Sequence, residues 1–212
     1  MELYITETFQ KILNAEYTHL GEETASFYYR VERDALTILF EWSNGKVDWK
    51  NNFDFPAKPY RDMCDKWYCH RGYLKVWKVI EPHLKEHIMN PEIKWIYIAG
   101  YSHGGALAQL CYEYCRYNRP DCFILGHGYG APRVVWGVVN KRVKKRFDGF
   151  VLVRNKGDIV THLPPVIFGY RNIGTLLGIG GNFRYNPIDA HRPENYTKEL
   201  ENIDSLVEEL TK

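Results

Sequence analysis

The stretch KWIYIAGYSHGGALAQLCYEYC, residues 94–115, constrains the fold of this chain more than any other. Its first part, KWIYIAG, is a short apolar run typical of a buried strand, and HGGALAQLCYEYC is rich in good helix formers. Between them stands the pattern G-x-S-x-G, with Ser102 at its centre. Two glycines so close to a serine permit a sharp turn that leaves the serine at its tip. The stretch therefore predicts a strand–turn–helix unit that presents Ser102 at the end of a sheet.

Other segments repeat this alternation of apolar strands and amphipathic helices. Two strands around a turn at residues 32–34 are predicted in 26–42, and further strands in 121–130 and 149–155. Helices are predicted in 6–20, 73–88, 103–118 and 193–210. Buried strands alternating with helices indicate an α/β fold with a mainly parallel central sheet and flanking helices.

Three further predictions concern two segments of the second half of the chain and one proline. Residues 134–147, VVWGVVNKRVKKRF, are predicted to form a helix, and residues 165–181 resemble a hairpin. Pro82 lies inside the helix predicted over 73–88, where it is expected to kink or split that helix.

Composition limits the class of protein. The 212 residues are 45% hydrophobic and 25% charged, which fits one globular domain spanning residues 1–212. A net charge of +2 is too small to indicate a nucleic-acid partner. No apolar run reaches the about 18 residues of a membrane span. The start of the chain lacks the pattern of a secretory signal, and five cysteines without framework spacing suggest reduced thiols. A cytoplasmic location is the resulting expectation.

A nucleophilic serine needs a base, and the base needs a carboxylate that orients it. The stretch RNKGDIVTHLPP places Asp158 just past a predicted strand, where open α/β sheets carry functional groups. His191 lies on a polar loop before the last helix, so Ser102, Asp158 and His191 follow in the order expected for this turn. His162 competes as the base, but it stands only four residues after Asp158 and more naturally shapes that loop.

Six segments, taken in order, resemble the class 3 lipases, the fungal-lipase-like branch of the α/β hydrolases. They run from about residue 36 to residue 196 and read ILFEWSNGKVDWKNN, CHRGYLKVW, GYSHGGALAQL, GYGAPRVV, KGDIVTHLPP and AHRPENY. In the first, Ser43 and Trp49 keep the family's spacing between its oxyanion Ser/Thr and a tryptophan. Six motifs in the expected order are far more specific than any one of them.

The resemblance implies an α/β-hydrolase fold, a catalytic triad and an oxyanion hole. The triad falls on Ser102, Asp158 and His191, and the oxyanion donors fall on Ser43 and on the backbone N–H of His103. Neither a metal nor an organic cofactor is implied. The chain departs from the family where Glu41-Trp42 replaces Arg-Gly before Ser43, and Trp42 is expected to narrow the acyl entrance. Residues 44–69 are expected to form either a small lid or a packed connection.

The implied activity is that of a serine carboxylic-ester hydrolase, a lipase or esterase, that forms an acyl-enzyme on Ser102. Its substrate would be an ester of a lipid or lipid-like alcohol, including one held at a lipid–water interface. Two alternatives belong to other classes. One is a non-catalytic relative of the same fold that binds lipid or a partner. The other is a zinc peptidase, because HLKEH, with His83 and His87, matches H-x-x-E-H.

Other suggestive features have ordinary explanations. An exposed helix face accounts for His83 and His87, and a solvated helix face accounts for the basic run 140–147. His70 and His127 are expected to be structural histidines. The glycines of GTLLGIGGN do not follow a strand in the G-x-G-x-x-G pattern, so no cofactor role is expected there.

Overall fold

The computed structural model describes residues 5–21, 25–42, 54, 56–60, 67–181 and 186–210, and of residues 203–210 it gives the helix path alone. The helices in these ranges are α1 (Ile5–Asn14), α2 (Arg71–Met89), α3 (His103–Asn118), α4 (Lys141–Arg146) and α5 (Pro193–Leu210). The strands are β1 (Thr18–Leu20), β2 (Ala25–Glu32), β3 (Ala35–Phe40), β4 (Ala57–Tyr60), β5 (Trp67–His70), β6 (Trp95–Tyr101), β7 (Phe123–Tyr129), β8 (Val135–Trp136), β9 (Phe150–Asn155), β10 (Tyr170–Arg171) and β11 (Thr175–Ile179).

The main sheet has seven strands within the described ranges, in the order β1-β2-β3-β6-β7-β9-β11. Strands β3, β6, β7, β9 and β11 run parallel, while β1 and β2 form an antiparallel edge. The register pairs Phe40 with Gly100 and Tyr101 with Tyr129, so the carboxyl ends of β3, β6 and β7 meet at one edge. This edge is where parallel sheets place their functional groups.

Helices cover both faces of this sheet because its strands are apolar on both sides. One face carries α2 and α3, which bury Ile38, Ile96 and Ile98. The other carries α1 and α5, whose Phe9 and Tyr196 are fully buried in a second apolar cluster. Each such side chain contributes roughly 1.5–3 kcal/mol through burial. No helix in the described part of the chain is both long and apolar enough to cross a bilayer.

Two predictions about the region after β7 are wrong. Residues 134–147 do not form one helix, because Val135–Trp136 pairs as β8 in a small four-stranded sheet and helix is confined to Lys141–Arg146. Residues 165–181 do not form a hairpin, because β10 pairs with β8 while β11 adds to the main sheet beside β9. Tertiary pairing decides both outcomes, and the local pattern does not report it.

Pro82 does not split α2, which continues from Arg71 to Met89. The helix buries Trp77, Ile80 and Leu84 against the sheet on one stripe. Packing of that stripe outweighs the roughly 3 kcal/mol cost of a proline in a helix interior.

Candidate active site

Ser102 lies at the turn between β6 and α3, with φ 54° and ψ −119°. A positive φ is strained for a residue with a Cβ, and such strain persists only where the surroundings impose it. Here the Ser102 N–H donates to the carbonyl of Tyr129 at 2.8 Å, which ties the turn to the end of β7. The turn thus holds the Ser102 side chain at the carboxyl edge of the sheet.

The two glycines of the motif are required by space. A Cβ on Gly100 would lie 2.2 Å from the carbonyl oxygen of Gly104, and a Cβ on Gly104 would lie 2.3 Å from that of Phe40. Both distances are far inside van der Waals contact with backbone atoms that cannot move away. Glycine therefore lets β3, β6 and α3 approach closely enough to form the turn.

His191 brings a base to Ser102. It ends the short 3₁₀ turn Asp189–His191 just before α5, and its Nε2 lies 2.8 Å from Ser102 Oγ. Its Nδ1 lies 2.9 Å from Oδ2 of Asp158. The structure thus brings together Ser102, His191 and Asp158, the three residues that the sequence singled out, in one hydrogen-bonded chain. In this arrangement Nδ1–H donates to the carboxylate and Nε2 is left to accept the serine proton.

Asp158 is fully buried beyond the end of β9. Besides His191, its carboxylate accepts from the backbone N–H of Val160 at 2.9 Å and from the phenol of Tyr196 at 2.6 Å. A buried carboxylate is costly unless it is paired and hydrogen-bonded, and these donors meet that need. They also fix the plane in which Asp158 meets the imidazole.

Tyr196 and Asn155 are residues that the sequence reasoning missed. The Tyr196 oxygen accepts the N–H of Asn155 at 3.0 Å, and the Asn155 amide donates to the carbonyl of Ala190, also at 3.0 Å. Burial, with the nearby charge of Asp158, raises the pKa of Tyr196 well above its usual value, so its hydroxyl stays protonated and donates. The only signal in the sequence is the tyrosine of AHRPENY, five positions after His191.

Of the two predicted oxyanion donors, His103 is described by the structure and Ser43 is not. His103 is buried at the first position of α3, and the first N–H groups of a helix point out of its end toward any anion there. Ser43 lies outside the described residues, as do Trp49 and most of the segment 44–69 that was expected to form a lid or a packed connection. Trp42 is described: it is half-buried, with its ring 6.3 Å from that of Tyr101.

The competing histidines lie elsewhere. His162 is exposed, and its Nδ1 is 3.4 Å from the guanidinium of Arg133. Partial desolvation of the ring and the nearby charges of Arg154 and Arg133 lower the pKa of His162. His127 is neutral at physiological pH because burial lowers its pKa to about 4. His70 stacks on Tyr73, with 4.1 Å between the ring centroids.

The H-x-x-E-H motif lies on α2 and the basic run 140–147 contains α4. His83 is exposed on α2, and the His87 ring stacks on Tyr29 at 4.1 Å between centroids. In the described ranges, no three His, Cys, Asp or Glu side chains are grouped so that they could hold a metal ion. The basic run forms α4, in which Val143 is buried and the Arg146 guanidinium pairs with the buried Glu113 at 2.9 Å.

A cavity of about 830 Å³ lies away from the triad, on the face of the main sheet beside α1. It is bounded by α1 and by the side chains of β3, β6 and β7 toward their amino ends, among them Thr37, Trp95, Tyr97, Phe123 and His127. None of Ser102, Asp158 and His191 lines it. The described part of the chain therefore places the cavity and the hydrogen-bonded triad at different sites.

Comparison with known proteins identifies the fold and the family. The geometry is that of an α/β hydrolase, and two solved lipase structures support this fold. Rhizomucor miehei triacylglyceride lipase has a TM-score of 0.67 and 22% identity, over 79% of this chain and 66% of that one. A triacylglycerol lipase whose catalytic centre is described as a serine protease triad has a TM-score of 0.63 and 20% identity, again over 79% and 66%. The predicted fold class is confirmed.

The family follows from sequence. The model of the family "Lipase (class 3)" matches residues 37–168, more than half of the chain, and this protein therefore belongs to the class 3 lipase family. Secreted mono- and diacylglycerol lipase 1 of Fusarium solani is 30% identical over 146 residues. That alignment covers 66% of this chain and 42% of the relative, so the chain spans less than half of the relative's length.

The expected cytoplasmic location is wrong. The similar Fusarium solani protein is a secreted lipase, which points to an extracellular location. Unpaired cysteines do not determine the compartment, because a buried thiol is protected from oxidation in either one. Cys69, Cys111, Cys115 and Cys122 are all free and buried. Burial raises the pKa of the Cys69 and Cys111 thiols, so little thiolate forms for exchange.

Proposed function

We propose that this chain is a serine carboxylic-ester hydrolase that cleaves lipid esters, with Ser102 as nucleophile, His191 as base and Asp158 as the orienting carboxylate. The observation that carries the proposal is the hydrogen-bonded chain, 2.8 Å from Ser102 Oγ to His191 Nε2 and 2.9 Å from His191 Nδ1 to Asp158 Oδ2. A strained serine, a histidine within hydrogen-bond distance of it and a buried carboxylate behind it are the parts that acyl transfer needs.

In the first half of the reaction, Ser102 Oγ attacks the carbonyl carbon of the ester while its proton passes to His191 Nε2. The carbonyl π electrons move to oxygen and give a tetrahedral oxyanion. When the oxyanion collapses, the bond to the alcohol oxygen breaks and His191 returns the proton to that oxygen. The products of this half are a free alcohol and an acyl group esterified to Ser102.

In the second half, water replaces the alcohol. His191 takes a proton from the water while the water oxygen attacks the acyl carbon. The second oxyanion then collapses, and the bond between the acyl carbon and Ser102 Oγ breaks. The proton on His191 returns to Oγ, and the carboxylic acid leaves. Throughout, Asp158 stabilises the imidazolium and holds its Nδ1–H.

The oxyanion is proposed to bind at the start of α3. The backbone N–H of His103 lies there, and the helix dipole favours negative charge at that end. Ser43 is proposed as the second donor on the strength of the family resemblance. One such donor is typically worth about 10²–10³ in kcat.

Acylglycerols are the proposed substrates, because the relatives found by comparison are named as lipases acting on mono-, di- and triacylglycerols. Exposed apolar side chains near the triad suit a substrate held at a lipid–water interface. Ile188 and Ile159, on the two loops that carry His191 and Asp158, are 73% and 43% exposed. Ile167, on the separate 3₁₀ turn Val166–Phe168, is 86% exposed and adds a second apolar site. We further propose that residues 1–212 act as one catalytic domain.

The test is cleavage of a short, soluble p-nitrophenyl ester together with labelling by an alkyl phosphonate. The full chain is expected to hydrolyse the ester and to take up one phosphonate on Ser102, and Ser102→Ala is expected to do neither. Ser26→Ala is the matched control, since Ser26 is buried on β2 and bonds His19 rather than a triad residue. Absence of turnover and of labelling in the wild type would favour the non-catalytic binding relative, and labelling retained by Ser102→Ala would overturn the assignment of Ser102 as nucleophile.

A further inference from the structure

The ring of Tyr101 lies against the imidazole of His191. Tyr101 stands at the first variable position of G-x-S-x-G, directly before Ser102. The two ring centroids are 5.2 Å apart and the ring planes differ by 24°, which is an offset stack. The strained turn that carries Ser102 thus also presents an aromatic face to the base.

Neighbouring rings hold Tyr101 in this orientation. The ring of Phe9 meets it edge-on at 5.5 Å, that of Tyr196 lies 5.5 Å away at 63°, and that of Trp42 lies 6.3 Å away at 60°. Tyr101 is only 2% exposed. Because rings crowd it from several sides, Tyr101 cannot turn its face away from the imidazole without disturbing the core.

Gly130 shows how closely these groups pack. A Cβ at this position would lie 3.1 Å from His191 Cε1 and 3.1 Å from Cε2 of the Tyr101 ring. Even one added carbon would press on both rings. The imidazole is therefore confined laterally by the backbone of residue 130 and on one face by Tyr101.

The hydroxyl of Tyr101 does not explain its presence. This oxygen is buried and makes no hydrogen bond with any described residue. Burial, together with the charges of Asp158 and Glu194, raises the pKa of the phenol well above its usual value, so it stays neutral. A buried hydroxyl without a partner is a cost, and so the useful part of Tyr101 is its ring.

We propose that Tyr101 is a positioning residue, whose ring face holds the His191 imidazole in line between Ser102 and Asp158 and stabilises the imidazolium that forms during catalysis. The inference rests on the proposed function. The imidazolium appears only when Ser102 or water gives up its proton, and the face of an aromatic ring attracts a cation. An interaction that strengthens in the transition state raises kcat rather than lowering KM.

The experiment compares Tyr101→Leu, which removes the ring, with Tyr101→Phe, which keeps the ring and removes the hydroxyl. Cation–π attraction corresponds to about 2- to 30-fold in rate. We expect Tyr101→Leu to lower kcat about tenfold with KM unchanged within about twofold, and Tyr101→Phe to restore the wild-type kcat. Rates are measured on a soluble p-nitrophenyl ester, and thermal unfolding is recorded for each variant.

Phe147→Leu is the control for a purely structural role. Phe147 is a buried aromatic residue in the other apolar cluster, where its ring packs edge-on or tilted against Trp67, Tyr112 and Phe150. The Phe147→Leu substitution should lower the melting temperature without lowering kcat. The inference is overturned if Tyr101→Leu keeps the wild-type kcat, if Tyr101→Phe loses as much as Tyr101→Leu, or if Phe147→Leu loses as much kcat for the same loss of stability.

A measurement on the wild-type protein covers the case in which Tyr101→Leu does not fold. The Cε1 proton of His191 should be shifted upfield in the proton NMR spectrum by the Tyr101 ring, both in the free protein and in the phosphonate adduct. A resonance at the position of an unstacked histidine overturns the inference. If the wild-type protein neither hydrolyses the ester nor takes up phosphonate on Ser102, the proposed function itself is wrong.

Discussion

Tyr196 and His191 donate to the same oxygen of Asp158, the phenol at 2.6 Å and the imidazole at 2.9 Å. The phenol also accepts the N–H of Asn155, whose side chain holds the carbonyl of Ala190 beside His191. One tyrosine on α5 therefore connects the loop after β9 with the loop that carries the base. Within the described residues, this hydrogen-bond network orients the triad from behind.

Replacement of Tyr196 by Phe removes this link while keeping the buried ring. We expect kcat to fall about tenfold, because a hydrogen bond to a charged carboxylate is lost. The free energy of unfolding should fall by about 1–3 kcal/mol, because the buried Asn155 N–H loses its acceptor. Tyr60→Phe is a matched control: Tyr60 is fully buried and accepts from Trp77 at 2.6 Å, far from the triad. Equal loss of kcat in both variants would contradict this role of Tyr196.

Asp158→Asn should leave the fold intact and lower kcat. If the amide oxygen keeps the hydrogen bond from the Val160 N–H, its NH₂ group faces Nδ1 and donates to it, so His191 would favour the tautomer that cannot take the Ser102 proton. We expect kcat to fall by about 10⁴ with little change in KM. Steady-state kinetics, with circular dichroism to verify folding, provide the measurement. A loss of tenfold or less would mean that Asp158 does not set the tautomer.

Gly104→Ala should destabilise the protein, because the new Cβ would lie 2.3 Å from the carbonyl oxygen of Phe40. Overpacking against backbone costs about 1–3 kcal/mol, occasionally more, and here it also displaces the turn that carries Ser102. Gly178→Ala is the control, since nothing lies within 4 Å of a Cβ on Gly178. In chemical denaturation, the free energy of unfolding should fall markedly for Gly104→Ala and change little for Gly178→Ala. Similar stabilities would refute the steric argument.

His127 should make stability depend on pH. Burial lowers its pKa to about 4 in the folded protein, whereas an unfolded histidine titrates near 6.5. Between these values the unfolded state binds more protons, so stability is full above about pH 6.5 and is lost as pH falls toward 4. From pH 7 to pH 5 the loss from this residue is about 2 kcal/mol. Urea denaturation of the wild type and His127→Gln at both pH values tests this, and an identical pH dependence would count against it.

Ile167→Asp should separate interfacial from soluble substrate. Ile167 is 86% exposed beside Val166 and Phe168, at 57% and 56%, and a charge there would disfavour contact with an apolar surface. We expect a severalfold lower rate on an acylglycerol emulsion and an unchanged rate on a soluble ester. Val31→Asp, at an exposed site on β2, is the control. If Ile167→Asp and Val31→Asp behave alike on the emulsion, contact through Ile167 is excluded.

The sequence predicted the elements that local pattern determines. β6, the turn at Ser102 and α3 follow from a short apolar run, two glycines and good helix formers. It could not predict that Tyr170–Arg171 joins Val135–Trp136 while Thr175–Ile179 joins β9, because such pairings depend on which strand edges are free in three dimensions.

The same limit applies to the site. Asp158 and His191 could be selected because each follows a recognisable element in the expected order. Asn155 could not, since an asparagine at a strand end carries no local signal, and the tyrosine of AHRPENY gives no indication that its hydroxyl binds Asp158. Their role appears only when α5 packs against α1 and the end of β9.

The packing of α1 against α5 also has a consequence for synthesis of the protein. Phe9 on α1 contacts Tyr101 and Tyr196 at once, so the rings around the base can be seated only after α1 and α5 have met. A nascent chain leaving the ribosome carries Ser102 well before His191 and Tyr196 emerge from the exit tunnel. Under the proposed function, a growing chain gains the ability to cleave lipid esters only after α5 has left the ribosome and packed against α1.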